Sequence, residues 1–359
     1  MPLKMARERK LKAVAPLVTH SDELPLDKKL LLSMHETMVK ARVLEERLIA
    51  MYKSGHGYFW IGGPGEEAFN VPLGLHIKKG QGPAFDFLHF HYRQSATMLA
   101  MGEDPIHALR QMKNTKTDPY SGGRNFAGHF SKREWNVVPV SSPIEVQYAM
   151  APGTALAQKR HGGDGITIVC GGDAGTAEGD FASCLIWSSR PGQELPVLMI
   201  ITNNQWGIST PAATQHAEEH IIDRGRPFGI PGEVVDGNDP IASWHAVRRA
   251  LEYCRRERRP YLLEAMVSRL YGHSSSSGAL RVKNEVDCVP LFERKLLEAG
   301  AVDEAALGRI HDEARAEADE ALEMALQEDK PRPDDVYRHT YADSPVDVVY
   351  PGDYTGLPN

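Results

Sequence analysis

Cysteine is scarce in this sequence, and its placement argues against two classes of protein. Four of the 359 residues are cysteines, and no two of them stand a few positions apart, as metal-binding pairs do. They are Cys170, Cys184, Cys254 and Cys288. Two of them fall in runs that we predict to be core elements. We therefore expect reduced thiols in a cytosolic protein rather than the disulfides of a secreted one.

Long apolar runs and an excess of basic residues are missing as well. No stretch approaches the roughly 20 apolar residues that a membrane-spanning helix needs, so we expect no membrane partner. The net charge of −7 argues against nucleic acid as the main partner. The remaining composition, 42% hydrophobic and 25% charged residues, is typical of a soluble globular chain with one large or two ordinary domains.

We expect no secretory signal at the beginning of the sequence, although its first dozen residues are rich in basic side chains. The basic residues there are Lys4, Arg7, Arg9, Lys10 and Lys12. Such a start suggests either an address to an organelle or a disordered arm. Glu8 and the lack of serine favour the arm, so we expect a bacterial cytoplasmic location more than a mitochondrial one.

Two continuous apolar runs, 166–170 and 196–202, predict strands that are buried on both faces, as in parallel sheets. Residues 177–189 lie between them with helical spacing, which completes one strand-helix-strand unit. Strands and helices alternate in this way over 137–270. The sequence therefore predicts an α/β fold with a doubly wound, mostly parallel sheet. It is not a dinucleotide-binding sheet, because no Gly-x-Gly-x-x-Gly stands between a strand and a helix.

The same patterns divide the chain into three parts. We predict a flexible N-terminal arm over 1–26, an α/β domain over 27–288, and a C-terminal helical tail with an irregular end over 289–359. Within the domain, 27–53 is predicted to be a long helix and 137–140 a short strand. Asp239 is predicted to cap a helix that has Pro240 at its first position.

Polar residues follow both apolar strands directly. Gly172-Asp173-Ala174 ends the first, and Asn203-Asn204 ends the second. Ligands of parallel sheets bind beyond the carboxyl ends of the strands, and a carboxylate with an amide carbonyl suits magnesium, which prefers oxygen ligands. The amides of Ala174 and Gly175 would face an anion at the start of the next helix. The alternative is two unrelated turns, because Gly-Asp and Asn-Asn are common in loops.

Other candidates are weaker when each is taken alone. His273 follows a predicted strand and is either a phosphate or proton donor or a solvated loop histidine. Arg93 suits bidentate phosphate binding or a surface salt bridge. Ser141-Ser142-Pro143 offers hydroxyls and carbonyls or is a simple turn. Phe59 and Ile144 would line a pocket or belong to the core.

Taken together, these residues resemble a known family. The chain resembles, over about 40–340, the alpha subunit of the thiamine-diphosphate-dependent decarboxylating component of 2-oxo acid dehydrogenase complexes, most of all the branched-chain type. The matching motifs, in chain order, are Gly65-Glu66-Glu67, Tyr92-Arg93, Gly123-Arg124, Ser141-Ser142-Pro143 with Gln147, Gly172-Asp173, Asn203-Asn204, Asp236-Gly237-Asn238 and Gly272-His273-Ser274. The resemblance implies oxidative decarboxylation of branched-chain 2-oxo acids, with acyl transfer to a lipoyl group.

The resemblance also implies roles for individual residues. Magnesium would be bound by Asp173, Asn204 and the carbonyl of Trp206. The diphosphate of thiamine diphosphate would be held by Tyr92, Arg93, Gly172, Ala174, Gly175 and His273. Ser142 and Ile144 would contact the middle of the cofactor, and Phe59 and Ile144 would face the substrate. Ser141, Pro143 and Gln147 would bind a monovalent cation such as potassium. His273 would assist acyl transfer.

The implied partners are a beta subunit, in an assembly of two alpha and two beta chains, and a lipoyl-bearing transacylase. The sequence departs from the family at Ala174, which replaces a glycine, at Thr202, where some relatives have arginine, and at Val146, which replaces a threonine of the cation site. Two alternatives remain open. One is a pyruvate or acetoin dehydrogenase alpha subunit, and the other is a non-catalytic subunit with a degenerate cofactor site.

Overall fold

The fold was analysed in a computed structural model, which describes residues 26–337. The predicted arm over 1–26 lies almost wholly outside this range, as does the irregular end from 338 onward. Within the described range, no helix combines the length and the apolar character needed to cross a membrane.

A five-stranded parallel sheet forms the centre of the molecule. Its strands are β1 (Phe87–His89), β2 (Thr167–Gly172), β3 (Val197–Asn203), β6 (Gly232–Asp236) and β7 (Tyr261–Met266), in the order β1-β2-β3-β7-β6. A separate two-stranded ribbon, β4 (Trp206–Gly207) and β5 (Thr210–Pro211), follows β3 directly. The prediction of a mostly parallel α/β sheet is confirmed.

Helices cover both faces of this sheet. They are α1 (Lys28–Lys53), α2 (Glu67–His76), α3 (Ser95–Ala100), α4 (Ile106–Lys113), α5 (Val146–Arg160), α6 (Gly179–Ser188), α7 (Pro240–Glu257), α8 (Cys288–Glu298) and α9 (Glu304–Gln327). Every residue of β2 and β3 is buried, as their continuous apolar runs predicted. Ile168 and Ile200 pack toward α2 and α7, whereas Val169 and Met199 pack toward α5 and α6.

The ends of several helices are set by acidic caps. Asp27 accepts a hydrogen bond from Leu30 N, so α1 begins one residue later, and its predicted extent is confirmed. Asp239 accepts from the amides of Ile241 and Ala242 and thereby starts α7 at Pro240, also as predicted. The C-terminal helices α8 and α9 pack against α1, with which they share one hydrophobic cluster that includes Met34, Phe292 and Ala318.

One local prediction was wrong. Residues 137–140 do not form a strand of the sheet: Val137 makes only isolated bridges, and Val138 N donates to Leu88 O. The strand at this edge of the sheet is β1. It is only three residues long, and no continuous apolar run in the sequence predicts it. The helices α3 and α4 are separate, because Gly102 adopts a left-handed conformation between them (φ +95°).

Candidate active site

The candidate site lies at the carboxyl ends of β2 and β3. These strands are neighbours, and Gly172 pairs with Thr202, so Asp173 and Asn204 follow adjacent strand ends. A cavity of about 750 Å³ opens there. The predicted residues that line it are Phe59, Tyr92, Arg93, Ser141, Ser142, Ile144, Gly172, Asp173, Ala174, Gly175, Trp206 and His273. Asn204 is buried beside it, and Pro143 and Gln147 do not line it.

Asp173 and Asn204 carry buried polar atoms without partners. Oδ2 of Asp173 makes no hydrogen bond, although the residue is only 1% exposed. Burial raises the pKa of Asp173, and the nearby Arg93 guanidinium opposes that shift. Asn204 Oδ1 accepts from Trp206 N at 3.1 Å, while its Nδ2 has no partner. A carbonyl oxygen has two lone pairs, so Asn204 Oδ1 retains one for a cation.

These atoms suit a magnesium ion. A buried carboxylate oxygen without a donor is costly, and a divalent cation would remove that cost. Asp173 offers this oxygen, and Asn204 offers its second lone pair. Trp206 lies in β4 after Gln205, whose left-handed backbone (φ +63°) turns the chain back across the strand end. The observed donor set therefore fits magnesium.

Cationic and aromatic groups line the same cavity as the Asp173 carboxylate. Arg93 is buried and donates from Nη1 to Glu66 Oε1 at 3.2 Å, but its Nε has no partner. The Arg93 guanidinium lies over the Tyr92 ring, 5.2 Å from its centroid. The ring of His273 meets the Tyr92 ring edge-on at 6.0 Å. This arrangement leaves the Arg93 Nε and the His273 Nδ1 available to an anion.

His273 is neutral at physiological pH. Burial and the positive charges of Arg93 and Arg269 lower the pKa of His273 to about 4. A neutral imidazole carries one proton, so His273 can donate one hydrogen bond and accept one. Its Nδ1 is among the buried atoms that have no partner.

The loop after β2 brings backbone and a methyl group to the cavity. Residues Ala174–Ala177 form a short 3₁₀ turn, so Ala174 and Gly175 stand where the chain leaves the sheet. The Ala174 methyl lies only 2.7 Å from where a Cβ on Gly207 would stand. The extra methyl of Ala174 is thus accommodated by a glycine on the ribbon.

The remaining wall of the cavity is apolar. Phe59 and Phe126 pack with ring centroids 5.4 Å apart, and Ile144 and Ile208 are 41% and 60% exposed. Ser142 shares a hydrogen bond with His129 Nε2 at 2.8 Å, which fixes the hydroxyl beside this wall. The predicted substrate residues Phe59 and Ile144 thus lie in the same cavity as Asp173.

The residues predicted to bind a monovalent cation lie next to the buried acid of Glu145. Gln147 Nε2 donates to Cys170 O at 2.9 Å, and Gln147 also contacts Glu145. Val146 has no side-chain oxygen. The acid of Glu145 occupies the space beneath Gly171 and Gly175, since a Cβ on either glycine would meet a Glu145 oxygen at about 2.0–2.1 Å. These contacts do not engage the side-chain oxygen of Gln147 or the carbonyls of Ser141 and Pro143, so the monovalent-cation site stays a prediction.

Two buried glutamates were missed by the sequence analysis. Glu145 lines the cavity, adopts a left-handed backbone (φ +66°) and accepts from Gly172 N at 3.2 Å. Burial raises the pKa of Glu145 to about 8 and the pKa of Glu66 to about 7. The sequence signal for Glu145 was that it is the single charged residue in the otherwise apolar stretch 143–146. Glu66 was part of the Gly65-Glu66-Glu67 motif, but its ion pair with Arg93 could be recognised only once the fold was known.

Comparison with known proteins gives consistent matches. The sequence pattern of the family described as "Dehydrogenase E1 component" matches residues 35–334. The alpha subunit of 2-oxoisovalerate dehydrogenase from Bacillus subtilis (strain 168) is 31% identical over 317 residues, 86% of this chain and 94% of the relative. A mitochondrial 2-oxoisovalerate dehydrogenase alpha subunit of Arabidopsis thaliana is 31% identical over 74% of this chain, which covers 55% of that relative.

A relative that is named for a different activity is also similar. The alpha subunit of an acetoin:2,6-dichlorophenolindophenol oxidoreductase from Cupriavidus necator is 29% identical over 335 residues, 89% of this chain and 97% of the relative.

Proposed function

The chain belongs to the dehydrogenase E1 component family, as the alpha subunit of a thiamine-dependent 2-oxo acid dehydrogenase, and we propose that its substrates are branched-chain 2-oxo acids. One observation carries the assignment of the site. Buried atoms of Asp173, Arg93 and His273 that have no hydrogen-bond partner belong to residues lining one cavity at adjacent strand ends. A magnesium-bound diphosphate would satisfy all three, because it brings a cation to the carboxylate and oxygens to the two donors.

We propose that magnesium is bound by Asp173, Asn204 and the carbonyl of Trp206. The diphosphate is held by Tyr92 and Arg93, by the backbone after Gly172, and by His273. Ser142 and Ile144 contact the middle of the cofactor. Support comes from the burial of Arg93, whose ion pair with Glu66 holds the guanidinium in place before any ligand arrives.

The bound cofactor supplies the nucleophilic carbon and the electron sink of the decarboxylation, whereas the protein provides binding and orientation. His273 keeps one proton on a ring nitrogen near neutral pH, since the pKa of its imidazolium is about 4. It can therefore donate a hydrogen bond without adding a positive charge. Edge-on packing against Tyr92 holds the ring toward the cavity, where we propose that it assists acyl transfer to the lipoyl group.

The substrate side chain is proposed to lie against Phe59 and Ile144. Both residues line the cavity together with Phe126, so the wall available to the substrate is apolar. A branched alkyl group buries more apolar area there than the methyl group of pyruvate. The similarity to relatives named as 2-oxoisovalerate dehydrogenase alpha subunits supports the same choice.

We infer that a beta subunit covers the open side of this cavity. Phe126, Ile144 and Ile208 line it, and they are 49%, 41% and 60% exposed in the isolated chain. Exposed apolar groups around a cavity mark an interaction surface. We propose an assembly of two alpha and two beta chains that passes its acyl group to a lipoyl-bearing transacylase. We place this assembly in a bacterial cytoplasm. A potassium ion at Ser141, Pro143 and Gln147 stays a prediction.

The test is a substrate comparison by the chain co-purified with its beta chain. Thiamine diphosphate, magnesium and an artificial electron acceptor are supplied, and kcat/KM is measured for 2-oxoisovalerate, pyruvate and acetoin. Turnover that favours 2-oxoisovalerate and disappears without the beta chain is expected. Turnover that favours pyruvate would overturn the substrate proposal while leaving the site intact.

Acetoin is the second candidate substrate, because the Cupriavidus relative matches this chain over almost its full length. Preferred turnover of acetoin in the same assay would select it. A well-assembled complex that binds the cofactor but turns over none of the three would point to a different 2-oxo acid. Failure to bind the cofactor at all would indicate a non-catalytic subunit, the alternative motivated by Ala174 and Thr202.

A further inference from the structure

A second group of ligand-type side chains lies where three helices meet. His35 comes from α1, Glu293 from α8 and His311 from α9, and their nearest nitrogen and oxygen atoms all lie within 4.8 Å of one another. None of these helices contributes a residue to the lining of the cofactor cavity. The group therefore has no role in the site described above.

Each histidine directs its Nε2 atom at the same oxygen, Oε1 of Glu293. Nε2 of His35 lies 3.0 Å from Glu293 Oε1, and Nε2 of His311 lies 2.6 Å from the same oxygen. Ligand atoms around a tetrahedral zinc ion stand about 3.3 Å apart, because zinc-to-nitrogen distances are about 2.0–2.1 Å. Two of the three separations are thus somewhat shorter than those of ligands around one ion, and the third, between the two Nε2 atoms, is at most 4.8 Å. Small outward shifts would admit the ion.

The surroundings also suit a metal more than a simple hydrogen-bonded group. His35 is fully buried among the apolar residues shared by α1, α8 and α9, and its Nδ1 has no partner. Metal coordination through Nε2 would replace its bond to Glu293 and would leave the ring proton on Nδ1, which is the tautomer whose Nε2 lone pair can bind a metal. The side chains of Glu293 and His311 are 18% and 28% exposed, so a fourth ligand position is open to water.

We propose that His35, Glu293 and His311 bind a divalent transition metal of the zinc class and so fasten the C-terminal helices to the first helix. Two imidazoles and one carboxylate form a common zinc ligand set. Each ligand comes from a different helix, and 258 positions separate His35 from Glu293. A metal there stabilises the contact between the two ends of the described chain. It is independent of the magnesium proposed at Asp173.

The test measures zinc binding to the full-length chain, co-purified with its beta chain and freed of any affinity tag that binds metals. Zinc is titrated against a chromophoric chelator, and melting is followed with added zinc and with excess EDTA. We expect one tight site per chain and a higher melting temperature with zinc. His311→Gln is the main variant because its site is partly exposed, and it should weaken binding about 100-fold or more.

Two further variants separate the possible outcomes. Glu317→Gln is the matched control. Glu317 in α9 pairs with Lys40 in α1 at 2.7 Å but does not belong to the group of His35, Glu293 and His311, so this variant should leave zinc binding unchanged. Asp173→Asn removes the proposed magnesium ligand and should also leave it unchanged. The proposal is overturned if no tight site is found, if His311→Gln binds zinc as well as the natural chain, or if Asp173→Asn alone abolishes binding.

Discussion

Replacing Asp173 by asparagine should make the ligand-free protein more stable while it removes cofactor binding. Asp173 is 1% exposed, and its Oδ2 has no hydrogen-bond partner. Its nearest cation, Arg93, is already paired with Glu66 at 3.2 Å. Leaving a buried polar group unsatisfied costs about 1–3 kcal/mol, and a charged group costs more. The neutral and nearly isosteric asparagine should recover about 1–2 kcal/mol of that amount.

The change is measurable by thermal unfolding. At about 2.1 cal/mol/K per residue, a chain of 359 residues has an unfolding entropy near 0.75 kcal/mol/K, so the variant should melt roughly 1–3 °C higher without ligand. Thiamine diphosphate with magnesium at about 100 times its dissociation constant should stabilise the natural chain by about 2.7 kcal/mol, or roughly 4 °C. The variant should show no such rise.

A control variant shows whether the effect comes from losing any negative charge or from losing the buried charge of Asp173. Asp164 is exposed and pairs with Lys78 at 3.1 Å, so Asp164→Asn makes the same change of charge at the surface. It should leave both melting temperatures unchanged. Our reasoning about the magnesium ligand is refuted if Asp173→Asn melts lower than the natural chain without ligand, or if it keeps the full rise with cofactor and magnesium.

Three further predictions concern buried acids and the apolar wall. Glu45 accepts from Trp60 Nε1 at 2.8 Å, and burial raises the pKa of Glu45 from 4.5 to about 7. The folded chain therefore holds a proton that the unfolded chain releases, so the natural chain should lose stability relative to Glu45→Gln as the pH rises from 4.5 to 7, measured by urea unfolding. Glu145→Ala should lower the free energy of unfolding in urea by about 1–3 kcal/mol, because it leaves the Gly172 amide without an acceptor. Phe59→Ala should lower kcat/KM for 2-oxoisovalerate relative to pyruvate about 10-fold, and an unchanged ratio would show that Phe59 does not contact the substrate.

The parts of the fold that follow from local patterns were predictable from the sequence. The continuous apolar runs of β2 and β3 predict strands buried on both faces, and Asp239 with Pro240 predicts the beginning of α7. Because polar residues follow both runs immediately, the sequence also placed Asp173 and Asn204 at neighbouring strand ends. These are short-range signals in which residue type and position suffice.

The parts that depend on long-range contacts were not predictable. The three residues of β1 carry no apolar run, and their position at the sheet edge is fixed by pairing with β2, far along the chain. Glu145 gave a weak signal, because one charge in an apolar stretch usually faces solvent. Its burial follows from the glycines at 171 and 175, which leave room for the carboxyl group. The meeting of His35, Glu293 and His311 likewise requires the packing of α1, α8 and α9.

The most direct test of the account is equilibrium binding of thiamine diphosphate by the chain assembled with its beta chain, measured by calorimetry with magnesium and then with excess EDTA. Our account predicts one cofactor per alpha chain, bound tightly with magnesium and at least about 100-fold more weakly without it, because Asp173 and Asn204 reach the diphosphate through the cation. Equal affinity in the two conditions, or no binding in either, would contradict it.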